Sequence, residues 1–279
     1  MHIDAHQHFW QLAREDYGWL TPSSEPIYRD FMPEDLAPLL REHGIDRTII
    51  VQAAPTEEET LFLLEIAART PFVAGVVGWI DFEAPDATER VALLADDALL
   101  VGLRPMVQDI ADDDWLLRPE FADVFEAIAE SGLVFDALTL PRHLPRLLRV
   151  VEWHPRLRVV IDHLSKPEIR NGPGGLPAWR RDLEALARHP QVHCKLSGMI
   201  TEAAAQWTTA DLVPYAAAVL EAFGPQRVLW GSDWPVANLA GGYGRWRAAT
   251  LELLAGLDDA ARDAVLGGTA ERVYLSRRR

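Results

Sequence analysis

Eight times along the 279-residue chain, a short run rich in Val, Ile and Leu gives way to a stretch with helical spacing. This alternation is the tightest constraint on the fold. Parallel strands need a crossover of a dozen or more residues between them, and helices that cover both faces of the sheet supply it. The runs are HIDAH, TIIVQAA, FVAGVVGWI, LLVGLRPM, LVFDALTL, RVVIDHL, VHCKLSG and RVLWGSD. The first helix follows Pro33, carries Leu36, Leu39 and Leu40 on one face and stops at Gly44. Thr56 and Glu59 form a capping box ahead of Leu61, Leu64 and Ala68. Further helical spacing covers 84–95, 119–131, 144–152, 179–188, 210–223 and 245–254, with C-terminal helices at about 258–275. The pattern predicts an α/β protein, a single TIM-type (β/α)8 barrel over 1–279. A doubly wound open sheet is the alternative. The eighth strand, and polar residues at nearly every strand end, favour the barrel.

In such a barrel the chemistry sits where the strands end. The strand ends offer His6 and His8, Arg104, Asp136 and Thr139, His163, Lys195 and Ser197, then Ser232 and Asp233. In an extended chain, residues two apart point the same way, so His6 and His8 can aim together into the barrel mouth. H-x-H alone is a weak signal. It gains weight from His163 and Asp233 at other strand ends, since three imidazoles and a carboxylate suit zinc or a similar ion. His2 reads as structural. Asp4 either orients a histidine or makes a buried hydrogen bond. The Gly/Pro-rich loop 165–177 is either a lid or a long connection.

Composition narrows the function class. Hydrophobic residues make up 49 % of the chain, which excludes disorder. Lys and Arg total 27 against 42 Asp and Glu, a formal charge of −15 that repels nucleic acid. The Arg277–Arg279 tail reads as a solvated end. No apolar run is long enough to span a membrane, and no signal peptide is visible. The single cysteine, Cys194, has no internal partner, which fits a reducing cytoplasm. A monomer or a homodimer is expected.

HIDAHQHFW, GLRPMVQD, VIDHLSKP, CKLSG and WGSDWP, in this order, resemble the amidohydrolase superfamily of the amidohydrolase-2 type. Within it they are most similar to the sugar-lactonase branch of L-fuconolactonase- and L-rhamnonolactonase-like enzymes. Relatives of that branch include 4-sulfomuconolactone hydrolase and 2-pyrone-4,6-dicarboxylate lactonase. The resemblance runs from Met1 to about Leu275. It implies a distorted (β/α)8 barrel, metal ligands at His6, His8, His163 and Asp233, water activation by Asp233, and a substrate-facing Arg104. Binuclear members carry a bridging lysine or glutamate on strand four and histidines on strands five and six. Here those places hold Arg104, Asp136 and Thr139. A fixed cation at the bridging position opposes a second ion. The expectation is at most one divalent metal, zinc or similar, with metal-independent catalysis left open.

The expected reaction is hydrolysis of a small sugar-acid lactone. Asp233 acts as base, His163 and Arg104 serve the carbonyl, and Trp10, Arg104, Lys195 and Trp234 contact the substrate. Trp115 and Trp207 are further aromatic candidates. Lys195 could point into the pocket or pair with Asp233. The absence of a G-x-S-x-G elbow argues against a serine hydrolase. The alternatives are a lactonase for a muconolactone or pyrone-dicarboxylate, a metal-dependent decarboxylase, and a non-catalytic sugar-acid binder.

Overall fold

The computed structural model describes residues 1–276, so the arginine tail lies outside the described residues. Eight parallel strands form one sheet in sequential order. They are β1 (Ile3–Gln7), β2 (Arg47–Val51), β3 (Val73–Gly78), β4 (Leu100–Leu103), β5 (Val134–Ala137), β6 (Arg158–Ile161), β7 (Val192–Leu196) and β8 (Val228–Trp230). Each coincides with a run singled out from the sequence, β1 and β2 reaching one residue beyond theirs. The seam between β8 and β1 closes just past the end of β8. Asp233 N–H donates to His6 O and His8 N–H donates to Trp234 O, each at 2.8 Å. The chain folds as a TIM-type barrel.

The helices pack outside. They are α1 (Pro33–His43), α2 (Glu57–Arg69), α3 (Ala87–Ala95), α4 (Ala122–Glu130), α5 (Leu144–Trp153), α6 (Leu176–Ala187), α7 (Met199–Glu202), α8 (Thr209–Phe223), α9 (Gly242–Leu253) and α10 (Asp259–Asp263). Local signals set their ends. Pro33 opens α1 and Gly44 closes it in the left-handed conformation. The Thr56 hydroxyl accepts the Glu59 N–H at the start of α2. The one-turn α7 carried no periodic signal. The C-terminal residues form α10 followed by two wide helical turns, Ala264–Gly268 and Glu271–Leu275. Among the described residues no helix is long and apolar enough to cross a membrane.

Two apolar layers follow. The larger lies between sheet and helices. The smaller fills the barrel with Ile3, Ala5, Ile49, Val51, Val77, Val101, Val134, Val160 and Leu229, joined by Ala270, Val273 and Tyr274 of the C-terminal turns. Those turns plug the barrel. The strand alternation that brings Val134 and Val160 inward also brings Asp136 and Asp162 inward, nearer the strand ends. A layer of charge therefore sits above an apolar floor.

Candidate active site

Side chains from three strand ends, those of β1, β6 and β8, meet at Asp233. Its Oδ1 lies 3.3 Å from His8 Nε2, 3.8 Å from His6 Nε2 and 3.9 Å from His163 Nε2. All four side chains are nearly fully buried. Glycines make the convergence possible. A Cβ on Gly231 would stand 2.6 Å from His6 Cβ, and one on Gly198 would stand 2.5 Å from His163 Nδ1. Gly198 also has φ +62°. Backbone strain concentrates here. His163, Leu164, Ser165 and Lys166 form a left-handed run, and Asp233 too has positive φ. Non-glycine residues pay roughly 1–2 kcal/mol each for that conformation, so the surrounding structure must hold it. Ser165 Oγ meets Thr139 Oγ1 at 2.8 Å, and Trp179 Nε1 donates to Leu164 O at 2.8 Å.

Hydrogen bonding fixes much of the protonation pattern. His8 Nδ1 lies 2.7 Å from the Val51 carbonyl, which can only accept, so the proton is on Nδ1. His8 Nε2 is then the nitrogen that faces the Asp233 carboxylate at 3.3 Å, where a proton or a metal cation can sit between the two atoms. Burial lowers His6 well below its ordinary value and lowers His163 to about 4, so both rings are neutral at pH 7. Burial works against the Asp233 carboxylate, but His163, His8 and His6 outweigh it and hold its pKa well below the usual range. Donors around one tetrahedral zinc, each about 2.0–2.2 Å from it, stand roughly 3.3–3.6 Å apart. The ligand atoms of His6, His8 and Asp233 lie within 4.8 Å of one another. The donor set fits one divalent ion.

A second cluster lies beneath. Lys195 Nζ is 2.5 Å from Asp136 Oδ2, 2.9 Å from Asp162 Oδ1 and 3.3 Å from His6 Nδ1. The Tyr274 hydroxyl donates to Asp136 at 2.7 Å. Arg104 Nη1 donates to Asp162 Oδ2 at 3.2 Å, and Arg104 Nη2 donates to Gln52 Oε1 at 2.7 Å. Burial raises Asp136 to about 6. Burial also opposes ionised Asp162, but Lys195, His6 and Arg104 hold it well below the carboxylate range. Two acids and two bases balance here without solvent, as buried charges must.

Above the ends of β1, β4, β6 and β8 opens a cavity of about 290 Å3. His8, Arg104, His163 and Asp233 form its floor, while Trp19, Met106, Leu138, Val236 and Leu239 give apolar wall. Gln108, Asp109, Lys166, Thr201 and Glu202 give polar wall. The amidohydrolase family pattern matches residues 3–275.

The chain belongs to the amidohydrolase family.

Its relatives agree. The chain is 48 % identical to an L-fucono-1,5-lactonase of Burkholderia ambifaria, covering 98 % of this chain and 94 % of that protein. It is 25 % identical to an L-rhamnono-gamma-lactonase of Scheffersomyces stipitis over 75 % of this chain and 69 % of that one. Among solved structures, an amidohydrolase from Burkholderia multivorans with bound Zn superposes with a TM-score of 0.92 at 37 % identity, covering 99 % of each chain.

Of the residues singled out in this amidohydrolase, His6, His8, His163, Asp233 and Arg104 come together. Trp10, Trp234 and Lys195 do not reach the cavity wall. Trp10 is fully buried against Tyr17, Trp19 and Phe31, and its Nε1 donates to Arg29 O. Trp234 packs edge-on against Phe9 and Phe31. Trp115 and Trp207 are buried as well, donating to Glu83 and to Ala240 O. Trp19 faces the cavity instead. Lys195 pairs with Asp136 and Asp162 rather than Asp233, because two buried carboxylates on neighbouring strands need its charge. Asp4 stitches the seam, accepting from Ser232 N–H at 2.8 Å and from the Tyr243 hydroxyl at 3.2 Å. Burial raises it to about 6. Asp162, Gln52, Tyr274 and Glu202 went unnoticed in the sequence. Strand alternation could have shown Asp162, two residues past the inward Val160.

Proposed function

We propose that this amidohydrolase hydrolyses a small sugar-acid lactone of the L-fucono- or L-rhamnono type to the aldonic acid. The observation that carries the reading is Asp233, an ionised carboxylate at the floor of a small cavity, with the Arg104 guanidinium beside it. The named activities of the relatives support it.

A lactone must have its carbonyl polarised and must meet a water that loses a proton. Asp233 takes that proton as the water oxygen attacks the carbonyl carbon. Arg104, held by Gln52 and Asp162, stabilises the oxyanion of the tetrahedral adduct. The ring C–O bond then breaks, and Asp233 returns its proton to the ring alkoxide. His163, anchored through Nδ1 to Ser197 Oγ at 2.9 Å, borders the reacting centre. A divalent ion, when bound, would be held by His6, His8, His163 and Asp233 and would supply Lewis acidity to the carbonyl and acidify the water. No covalent nucleophile is required.

A neutral substrate suits the cavity better than a dicarboxylate. Arg104 and Lys166 face Asp109, Glu202 and Asp233 across it, and both cations already have acidic partners. Trp19 and the apolar wall offer contact to the C–H faces of a sugar. The buried, unpaired Cys194 is in keeping with a cytoplasmic enzyme, and we take it to act as a monomer or homodimer on a free small molecule.

The test is a panel of aldono-lactones followed with a pH indicator. Acid release above the spontaneous rate is expected with a six-carbon deoxy-lactone. Failure with every lactone overturns the reading, and proton uptake with CO2 release from an aromatic acid replaces it with a decarboxylase.

A further inference from the structure

Trp19 gives the catalytic cavity an aromatic face, yet the residue is 40 % exposed and stands on a long loop. Trp10 and Phe31 pair their backbones at the base of that loop, N–H to O at 3.0 Å in both directions. Nine residues separate Trp10 from Trp19, so the base alone does not set the direction of the ring.

A row of contacts to α2 does. Thr56, Glu59 and Phe62 lie three residues apart along one side of α2, from its N-cap inward. The Thr56 hydroxyl donates to Asp16 Oδ2 at 3.1 Å, the Tyr17 hydroxyl donates to Glu59 Oε2 at 2.8 Å, and the Arg14 guanidinium lies over the Phe62 ring at 4.6 Å. Glu59 has a second task. Its Oε1 accepts the Ala53 N–H at 3.1 Å, and the Ala53 carbonyl accepts the Trp19 Nε1–H at 2.7 Å. One carboxyl group therefore reaches Trp19 by two routes, through Tyr17 two residues before it and through the backbone of Ala53. The ring itself rests edge-on against the buried Trp10, with centroids 5.5 Å apart.

Docking a loop does not need a buried acid. An apolar side chain of similar volume can join loop to helix without the cost of desolvating a carboxyl group. It cannot offer two separately aimed acceptors. Glu59 is fully buried and uses both of its oxygens, and Ala53 lines the cavity beside Trp19.

We infer that Glu59 is a positioning residue for substrate: through Ala53 and Tyr17 it holds the Trp19 indole as a fixed wall for the C–H face of the bound ring. Glu59 touches no reacting atom. The wall is met alike before and after the carbonyl is attacked, so it acts on binding and not on turnover. That a sugar ring packs there rests on the lactonase reading; the clamp on Trp19 does not.

Solvent exchange of the Trp19 Nε1 proton, followed by NMR and assigned by comparison with Trp19→Phe, tests the clamp without substrate. Glu59→Ala should speed that exchange by about 10-fold. Tyr17→Phe keeps Glu59 and cuts one route; it should speed exchange by about 3-fold, and it decides alone if Glu59→Ala does not fold. Unchanged exchange in the folded variants overturns the inference. With a lactone, Tyr17→Phe should raise KM by about 3–10-fold and leave kcat within about 2-fold. In a Trp19→Ala background it should raise KM no further. A rise of the same size without the indole would make Tyr17 and Glu59 parts of the fold alone, and overturns the inference as well. If no lactone is turned over, the proposed function falls, and the exchange rates still decide the clamp.

Discussion

His8 and Asp233 lie 225 residues apart in sequence and meet across the seam of the barrel, Nε2 to Oδ1, at 3.3 Å. The contact joins the first strand to the loop after the last, so the site exists only when the barrel has closed. With its Nδ1 proton given to the Val51 carbonyl, His8 presents Nε2 to this carboxylate, as a lone pair when the ring is neutral and as a second N–H when it is protonated. The pair is therefore a site for a proton or a metal cation.

Asp233→Asn keeps the shape of the carboxylate and removes its basicity. Turnover should fall by about 10²–10⁴-fold while the thermal melt stays close to wild type. Near-normal kcat in the folded variant would exclude Asp233 as the base.

Metal content should not exceed one ion per chain. Arg104, pinned between Gln52 and Asp162, sets a positive charge against His6 and Asp162, members of the other group among the described residues whose ligand atoms could hold an ion. Elemental analysis after loading with excess zinc, followed by desalting, should give one equivalent or less. Two tightly held equivalents would contradict this arrangement.

Gly198→Ala should disturb the site more than the fold. The new methyl group would press on the His163 ring, and the left-handed backbone adds about 1 kcal/mol of cost. Displacement of a catalytic ring by about 1 Å can cost roughly 100-fold in rate. We expect a large loss of kcat with only a modest drop in melting temperature. The reverse pattern would make Gly198 a folding residue alone.

Glu59 should make stability depend on pH. It is fully buried, accepting from the Tyr17 hydroxyl at 2.8 Å and from Ala53 N–H at 3.1 Å. Burial raises its pKa from 4.5 to about 7. The folded state thus binds the proton more tightly than the unfolded chain. The benefit is fully present below pH 4.5 and is lost as pH rises through about 7. At about 1.4 kcal/mol per pH unit, the loss is on the order of 3 kcal/mol. Glu59→Gln should narrow the difference in melting temperature between pH 5 and pH 8. An identical difference in both proteins would show that Glu59 is not the source.

The barrel and the strand-end residues were legible because both follow from period. Alternating strands and helices announce a parallel sheet, and polar groups after apolar runs mark its open end. The aromatic wall was not legible. Trp10 lies two residues after His8, yet the turn after β1 buries it and leaves Trp19, nine residues on, at the cavity. No local pattern encodes which of two tryptophans in one loop faces inward. Asp4 shares the spacing of His6 and His8, but an irregularity between Asp4 and Gln7 breaks the alternation and leaves it bonded to Tyr243 of α9. Lys195 was visible as a charge in an apolar strand. Its partners, Asp136 and Asp162, came from two other strands, and only closure of the barrel pairs them.

The acidic balance of the cavity and of the chain carries a consequence for direction. The proposed substrate enters without charge and leaves as an anion. Asp109 lines the cavity that it leaves, and the chain as a whole carries a formal charge of −15. Ring opening thus turns a tolerated guest into a repelled one. The electrostatic push is strongest at low ionic strength and acts only after the bond is cut, so the protein discourages its own product from returning.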